Sequence, residues 1–380
     1  MILKAYQYRI YPNSGAAEQI AQHFGAVRFV YNTALELRNR YYQQFGKGIS
    51  KRAVQDQFVA LKRTPEFVWL NQINSQAILS ALEHLHNTYL NFFNGKAKFP
   101  RFKSKKSSWQ SYQMPQHVKV DFDRQQVQLP KIGWVNAKLH RQFAGEIKTC
   151  TLKQLPSGHY RLTVLVECAG ELPAKPVIKE QATQGIDLGL SHFAILDNGE
   201  KLDNPKFLQR SLGRLGIVQK QLSRMKKGSI NHKQQKRRVA KQHLAITNQR
   251  SNFLHQQSTT LVRDSQAATL AIEDLHVKGM IRNKKLSRHI ADVGWGRFVQ
   301  MLSYKADWYG KNLLRCNRFA PSSKQCECGH INHGLRLKDR VWTCPACLQT
   351  WDRDVLAANN IKRFALAEAF GKMGESPVSV

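Results

Sequence analysis

Two apolar segments of this chain end in a carboxylate, and few folds can accept that. Ala268-Thr269-Leu270-Ala271-Ile272 runs straight into Glu273, and Gly185-Ile186-Asp187-Leu188-Gly189 sets Asp187 among apolar residues and glycines. A buried strand ending in an ionised acid needs a cation or donors beside it, because an uncompensated buried charge is costly. A third acid, Asp354, follows in Asp352-Arg353-Asp354-Val355-Leu356-Ala357-Ala358-Asn359-Asn360-Ile361. Hard divalent cations take oxygen ligands. Carboxylates converging from strand ends are one way to fix two such ions for phosphodiester hydrolysis, one activating the attacking water and one stabilising the leaving oxygen.

The charge balance names the phosphodiester. Lys and Arg total 59 against 26 Asp and Glu, a formal net charge of +33 over 380 residues. Such an excess repels itself unless a polyanion is present, and it suits an extended phosphate-backbone footprint. With 42% hydrophobic residues the chain is a folded protein and not a basic tail. No apolar run is long enough to span a bilayer, and Met1-Ile2-Leu3-Lys4-Ala5-Tyr6 has no export-signal core.

Hydrophobic periodicity divides the chain. Tyr6, Tyr8 and Ile10 alternate with Gln7 and Arg9, a strand that Tyr11-Pro12-Asn13 breaks. Ile20, Phe24, Val27, Tyr31 and Leu35, and later Ile78, Leu82, Leu85, Tyr89 and Phe92, recur at helical spacing. Residues 15–95 therefore read as a helical block inserted after the first strand. At Phe99-Pro100-Arg101-Phe102-Lys103-Ser104-Lys105-Lys106, basic residues interleave with aromatics, and Trp109 and Tyr112 follow. Such a segment can track a phosphate backbone and stack bases, which makes Arg101, Lys103, Lys105 and Trp109 candidate contacts. Alternation at Val118, Val120 and Phe122, at Val127 and Leu129, and at Tyr160–Val166 predicts a small barrel that the first strand joins.

From Asp187 the pattern is mixed α/β, with a hairpin turn at Asp197-Asn198-Gly199. A long polar helical stretch then covers 205–262, broken near Gly228-Ser229. It holds Arg224, Lys227, Arg237 and Arg238, and no acid lies between 204 and 263. Solvated helices interleave both signs of charge, so this stretch is expected to contact nucleic acid.

Four of the seven cysteines, Cys326, Cys328, Cys344 and Cys347, lie within 22 residues. Cys344-Pro345-Ala346-Cys347 has the C-x-x-C spacing of a zinc ribbon. Cys326-Glu327-Cys328 is one residue shorter than usual, so His330 is a possible substitute ligand and a metal-free knuckle is the alternative. Cys150, Cys168 and Cys316 read as small buried residues.

Taken together these residues resemble TnpB, the RNA-guided nuclease family of bacterial insertion sequences, related to type V CRISPR effectors. The likeness is nearly end to end. It rests on Lys4–Pro12, Phe24–Asn32, Phe99–Lys105, Gly185–Gly189, Ile272–Leu275, Gly294-Trp295-Gly296, Tyr304-Lys305-Ala306, Pro321–Lys324 and Asp352-Arg353-Asp354. It implies a multidomain α+β fold. A β-barrel wedge domain (1–14 and 96–180) would carry a helical recognition insertion (15–95). An RNase H-like RuvC nuclease domain (181–380) would carry a basic helical hairpin (205–262) and a zinc-knuckle insertion (320–350). It also implies Asp187, Glu273 and Asp354 as the catalytic triad holding two Mg²⁺, and a structural Zn²⁺ on the four cysteines. The implied partners are a guide RNA from the transposon end and target double-stranded DNA, in the bacterial cytoplasm at the nucleoid. Leu356 departs from the family, where Asn is common. The alternatives are a nuclease-silent RNA-guided DNA-binding regulator and a transposase-type strand transferase.

Overall fold

Strand β1 (Ile2–Tyr11) buries Tyr8 and Ile10 on one face, as its alternation requires, and hands the chain to a long helix, α1 (Ser14–Phe45). Asn13 caps that helix: its side chain accepts from the Ala16 N–H at 2.8 Å. Gly46, at φ +65°, ends it. Helices α2 (Lys51–Leu61) and α3 (Ser75–Phe93) follow. The spaced apolar residues Ile20, Phe24, Val27, Tyr31 and Leu35 of α1 are buried with Ile78, Leu82, Leu85 and Tyr89 of α3. The computed structural model describes residues 2–107, 110–336 and 338–373, in one unit that ends at Glu171 and another that begins at Leu172.

The remainder of the first unit is β. Strands β2 (Gln110–Met114), β3 (Lys119–Asp121), β4 (Gln126–Leu129), β5 (Gly133–Lys138), β6 (Glu146–Gln154) and β7 (Tyr160–Cys168) join β1 in one antiparallel sheet. Its order is β2-β6-β7-β1-β5-β4-β3. The first strand lies at the centre, paired along its length with β7 and at its end with β5. The expected barrel is thus a half-barrel, with β2 and β3 at its edges.

The second unit is built on a five-stranded sheet of β8 (Thr183–Asp187), β9 (His192–Leu196), β10 (Lys201–Asp203), β11 (Thr269–Glu273) and β12 (Asn312–Cys316), in the order β10-β9-β8-β11-β12. Strands β8, β11 and β12 run parallel, and β9 and β10 are antiparallel. Between β10 and β11 stand α4 (Phe207–Ser223) and α5 (Ile230–Thr259), which part at Gly228, φ +88°. Asp292 ties both: it accepts from the Leu208 N–H and pairs with Arg250 at 2.6 Å. Asp292 lies in α7 (Ser287–Val293), after α6 (Val277–Met280) and before α8 (Trp295–Trp308). A short hairpin, β13 (Val341–Thr343) and β14 (Thr350–Asp352), leads into the last helix, α9 (Arg353–Met373). Among the described residues no helix is long and apolar enough to cross a membrane.

Helix α9 packs on the sheet through Ile361 and Ala365, against Ala271 and Cys316. At β8 the approach is closer still. A Cβ on Gly185 would stand 2.1 Å from the Ala358 carbonyl oxygen, so glycine at this position is a packing requirement. Gly185→Ala is expected to destabilise the chain by roughly 2–3 kcal/mol, in the range for overpacking against backbone. Denaturant unfolding reads this directly, and an unchanged midpoint would show that α9 can retreat without cost.

Candidate active site

The parallel register brings two of the three expected acids to one edge. Ile186 pairs with Ile272, so Asp187 and Glu273, the last residues of β8 and β11, end side by side. Cys316 closes the row on β12, opposite Glu273. Ligands of open sheets with parallel strands gather at these carboxyl ends. Asp354 arrives from the first turn of α9, the helix that lies on β8.

The electrostatics register the meeting. Burial, then the charges of Glu273 and Asp354, push the Asp187 carboxyl from 3.8 up to about 7, against the pull of Arg353 and the Leu188 N–H. Glu273 is also raised, first by burial and then by Asp274. Arg353 and Arg340 offset only part of this negative charge, and the oxygen donors that remain fit a divalent cation.

This has a consequence for stability. The folded chain holds the Asp187 proton more tightly than the unfolded chain, so this group lowers stability as pH rises from about 4 to about 7. Above that range the ionised carboxyl is a net cost to the fold. Without added Mg²⁺, Asp187→Asn is therefore expected to be more stable than the unsubstituted chain at pH 8, with the advantage fading towards pH 4. Unfolding midpoints at the two pH values test it, and an identical difference at both would remove the argument.

Three neighbours frame this edge, Arg340, Asp352 and Asn360, and of these Arg340 had no mark in the sequence. Arg340 grips Asp354 with Nη1 at 3.1 and 3.0 Å from its two oxygens and reaches Ser191 Oγ at 3.3 Å. In a chain with 59 Lys and Arg, nothing distinguished it. Asp352 is a cap: Oδ1 accepts from the Asp354 and Val355 N–H groups, and Oδ2 accepts from Lys201 at 2.6 Å. Burial opposes its charge, but Lys201 and the two N–H donors hold its carboxyl below the ordinary value. Asn360, almost fully buried, donates to the Ser322 and Gln325 carbonyls and ties α9 to the segment before the cysteines.

The four cysteines converge. Their sulfurs lie within 4.8 Å of one another, with Cys326 Sγ 3.5 Å from Cys347 Sγ and Cys328 Sγ 3.7 Å from Cys344 Sγ. Thiolates 2.3 Å from a tetrahedral zinc would stand about 3.8 Å apart, so the set fits zinc. The short Cys326-Glu327-Cys328 loop closes through the Cys326 N–H to the His330 carbonyl and the Gly329 N–H to the Cys326 carbonyl. His330 thus serves the loop through its backbone, and four sulfurs complete the group. Burial works against the Cys344 thiolate, but backbone N–H groups of Cys347 and Ala346 and the neighbouring thiols bring its pKa down. Trp351 Nε1 donates to Cys326 Sγ at 3.2 Å. Leu356, the departure from the family pattern, is buried with Cys326, Trp342 and Cys344. An apolar residue here packs the start of α9 onto the knuckle.

The expected nucleic-acid contacts are mixed. Arg224, Lys227, Arg237 and Arg238 stand exposed on or beside α4 and α5, whose sequences contain no acid. Arg101 and Lys105 are exposed in the first unit. Lys103 places its ammonium 4.0 Å from the Tyr31 ring centroid, and its backbone is held by Asn32. Trp109 lies outside the described residues.

Comparison with known proteins agrees with this architecture. Residues 161–284 match a family model described as "Probable transposase", and 295–361 match one described as "Cas12f1-like, TNB domain". Residues 1–47 match a "Helix-turn-helix domain", a span that here is β1 and one long helix. A Streptomyces pristinaespiralis protein named as a candidate RNA-guided DNA endonuclease is 36% identical over 370 residues, 96% of this chain and 90% of its own. The Escherichia coli K12 protein InsQ, named likewise, is 31% identical, covering 94% of this chain and 91% of its own. A Cas12f1 solved with sgRNA and target DNA is 12% identical and superposes with a TM-score of 0.57, over 95% of this chain and 98% of that one, a likeness of fold. With that identity along nearly its whole length, the chain belongs to the TnpB family.

Proposed function

We propose that this chain is an RNA-guided DNA endonuclease that cuts beside a short flanking motif, guided by an RNA from its transposon end. The observation that carries the reading is the shared edge of Asp187 and Glu273 in register, with Asp354 entering from α9. In this reading the second unit is an RNase H-like RuvC domain, and the half-barrel with its helices is a wedge and recognition module. Two Mg²⁺ held there would activate the attacking water and neutralise the leaving oxygen. Asp187, Glu273 and Asp354 supply the oxygens. Arg340 fixes the rotamer of Asp354, and the Asp352 cap fixes the turn that presents it. The cysteines suit a closed structural zinc site, with no open position for substrate. Pairing would read sequence while the protein reads shape and flank.

The acid-free surface of α4 and α5 predicts that the protein purifies with RNA and releases it only at high salt, because each phosphate contact frees counterions. Purified protein with its co-purifying RNA should cut, with Mg²⁺ present, a duplex matching the sequenced guide. Binding without cutting would favour the silent regulator, and joining of strand ends would favour the transposase.

A further inference from the structure

Between the second half of α1, the start of α2 and the second half of α3 lies a concave pocket of about 680 Å³ that the proposed chemistry does not use. Tyr42, Tyr89, Phe92, Phe93 and Phe99 give it aromatic walls, and Arg38 is among its charged residues. No acid lines it. Phe99 stands edge-on to Tyr89 and Phe92, with ring centroids 5.7 and 5.3 Å away. Phe93 is 73% exposed, and Tyr42 and Phe99 are well exposed too.

Arg38 is the informative residue. It is half-buried with its guanidinium 5.0 Å from the Tyr89 ring centroid, and among the described residues it makes no hydrogen bond and no ion pair. Five N–H donors beside an apolar wall, with no acceptor among the described residues, suit an anionic group brought by a ligand. Aromatic faces suit a base.

We propose that this pocket takes one unpaired nucleotide of the bound RNA, its base among the aromatic rings and its phosphate on Arg38. This deepens the proposed function and rests on it. The DNA strand paired to the guide has its bases turned inward in the heteroduplex, whereas folded RNA offers splayed, unstacked bases, the form that proteins read by stacking. The displaced DNA strand is also unpaired, and tighter binding of a single-stranded oligodeoxyribonucleotide than of the matching oligoribonucleotide would assign the pocket to it and overturn the proposal. The volume is of the size that holds a small ligand.

Ultraviolet cross-linking of the natively purified protein with its RNA, followed by mass spectrometry, should find nucleotide adducts on peptides spanning 38–51 or 86–99. Separately, protein stripped in high salt is titrated with a short single-stranded oligoribonucleotide of mixed sequence. Phe93→Ala, at an exposed position, should weaken binding about 10-fold, and Phe93→Trp should restore it. Arg38→Gln should lower the slope of log affinity against log salt by about 0.7. Unchanged affinity in Phe93→Ala together with no adduct in these segments overturns the proposal. So does an unsubstituted chain that is dimeric in solution and becomes monomeric in Phe93→Ala with RNA binding intact, which would assign the pocket to a second copy of the chain. The cleavage assay keeps the two readings apart: adducts without cutting sink only the nuclease reading, and cutting with no adduct and unchanged Phe93→Ala affinity sinks only the pocket.

Discussion

Asp187→Ala, Glu273→Ala and Asp354→Ala each remove DNA cleavage, by on the order of 10³-fold or more, while the co-purifying RNA stays bound within a few-fold. The magnitude follows from losing several kcal/mol of transition-state charge stabilisation at a carboxylate edge. RNA is spared because these acids close strands β8 and β11 and open α9, and none belongs to the acid-free helices α4 and α5. Asp352→Ala is the contrasting variant. It loses the cap of α9 and the Lys201 pair, which costs about 1 kcal/mol of local stability, so cleavage falls only modestly. Single-turnover cutting of a matched duplex, alongside RNA content per chain, reads all four. An inert Asp352→Ala beside an active Asp354→Ala would mean that Asp352, not Asp354, belongs to the reacting set.

Cys344→Ser is expected to lower zinc from about one ion per chain and to reduce cleavage severely with the five-stranded sheet intact. Strands β13 and β14 are three residues each, too short to persist as an isolated hairpin in water. Zinc on four thiolates contributes folding free energy directly, on the order of 10 kcal/mol in small zinc domains. One end of the hairpin holds Cys344. The other holds Arg340, whose carbonyl accepts the Arg353 N–H and whose guanidinium holds Asp354. Loss of the metal therefore frees Asp354 and leaves Asp187 in place. Elemental analysis, limited proteolysis across 320–350 and cutting rate decide it together. A metal-free chain that cuts at the full rate would falsify the link.

What the sequence could disclose followed from local repetition. The helical spacing of Ile20 to Leu35 and the apolar run into Glu273 each carry their own period or break, and the cysteines carry a spacing. The centre position of β1 in its sheet was less legible, because pairing with β7 and β5 is set by residues more than 120 positions away. Arg340 and the Arg38 pocket were not legible at all. Each depends on which of many similar cations ends up facing an acid or a ring, a matter of tertiary packing. Leu356 looked like a loss at the third motif. Its burial against Cys326 and Cys344 shows an apolar contact in its place.

Gly185 and Ala358 touch at the limit of atomic contact, two residues from Asp187 on one side and four from Asp354 on the other. Neither stretch of the chain can therefore drift alone over evolutionary time. A bulkier residue at 185 meets the Ala358 backbone, forces α9 outward and carries the third acid with it, and any shift of α9 towards β8 is stopped by the same contact. Viable descendants of this sequence should inherit the two stretches as a matched pair, so a recombination breakpoint between them, joining halves from distant relatives, should yield chains that fold and still bind RNA but whose acids no longer meet.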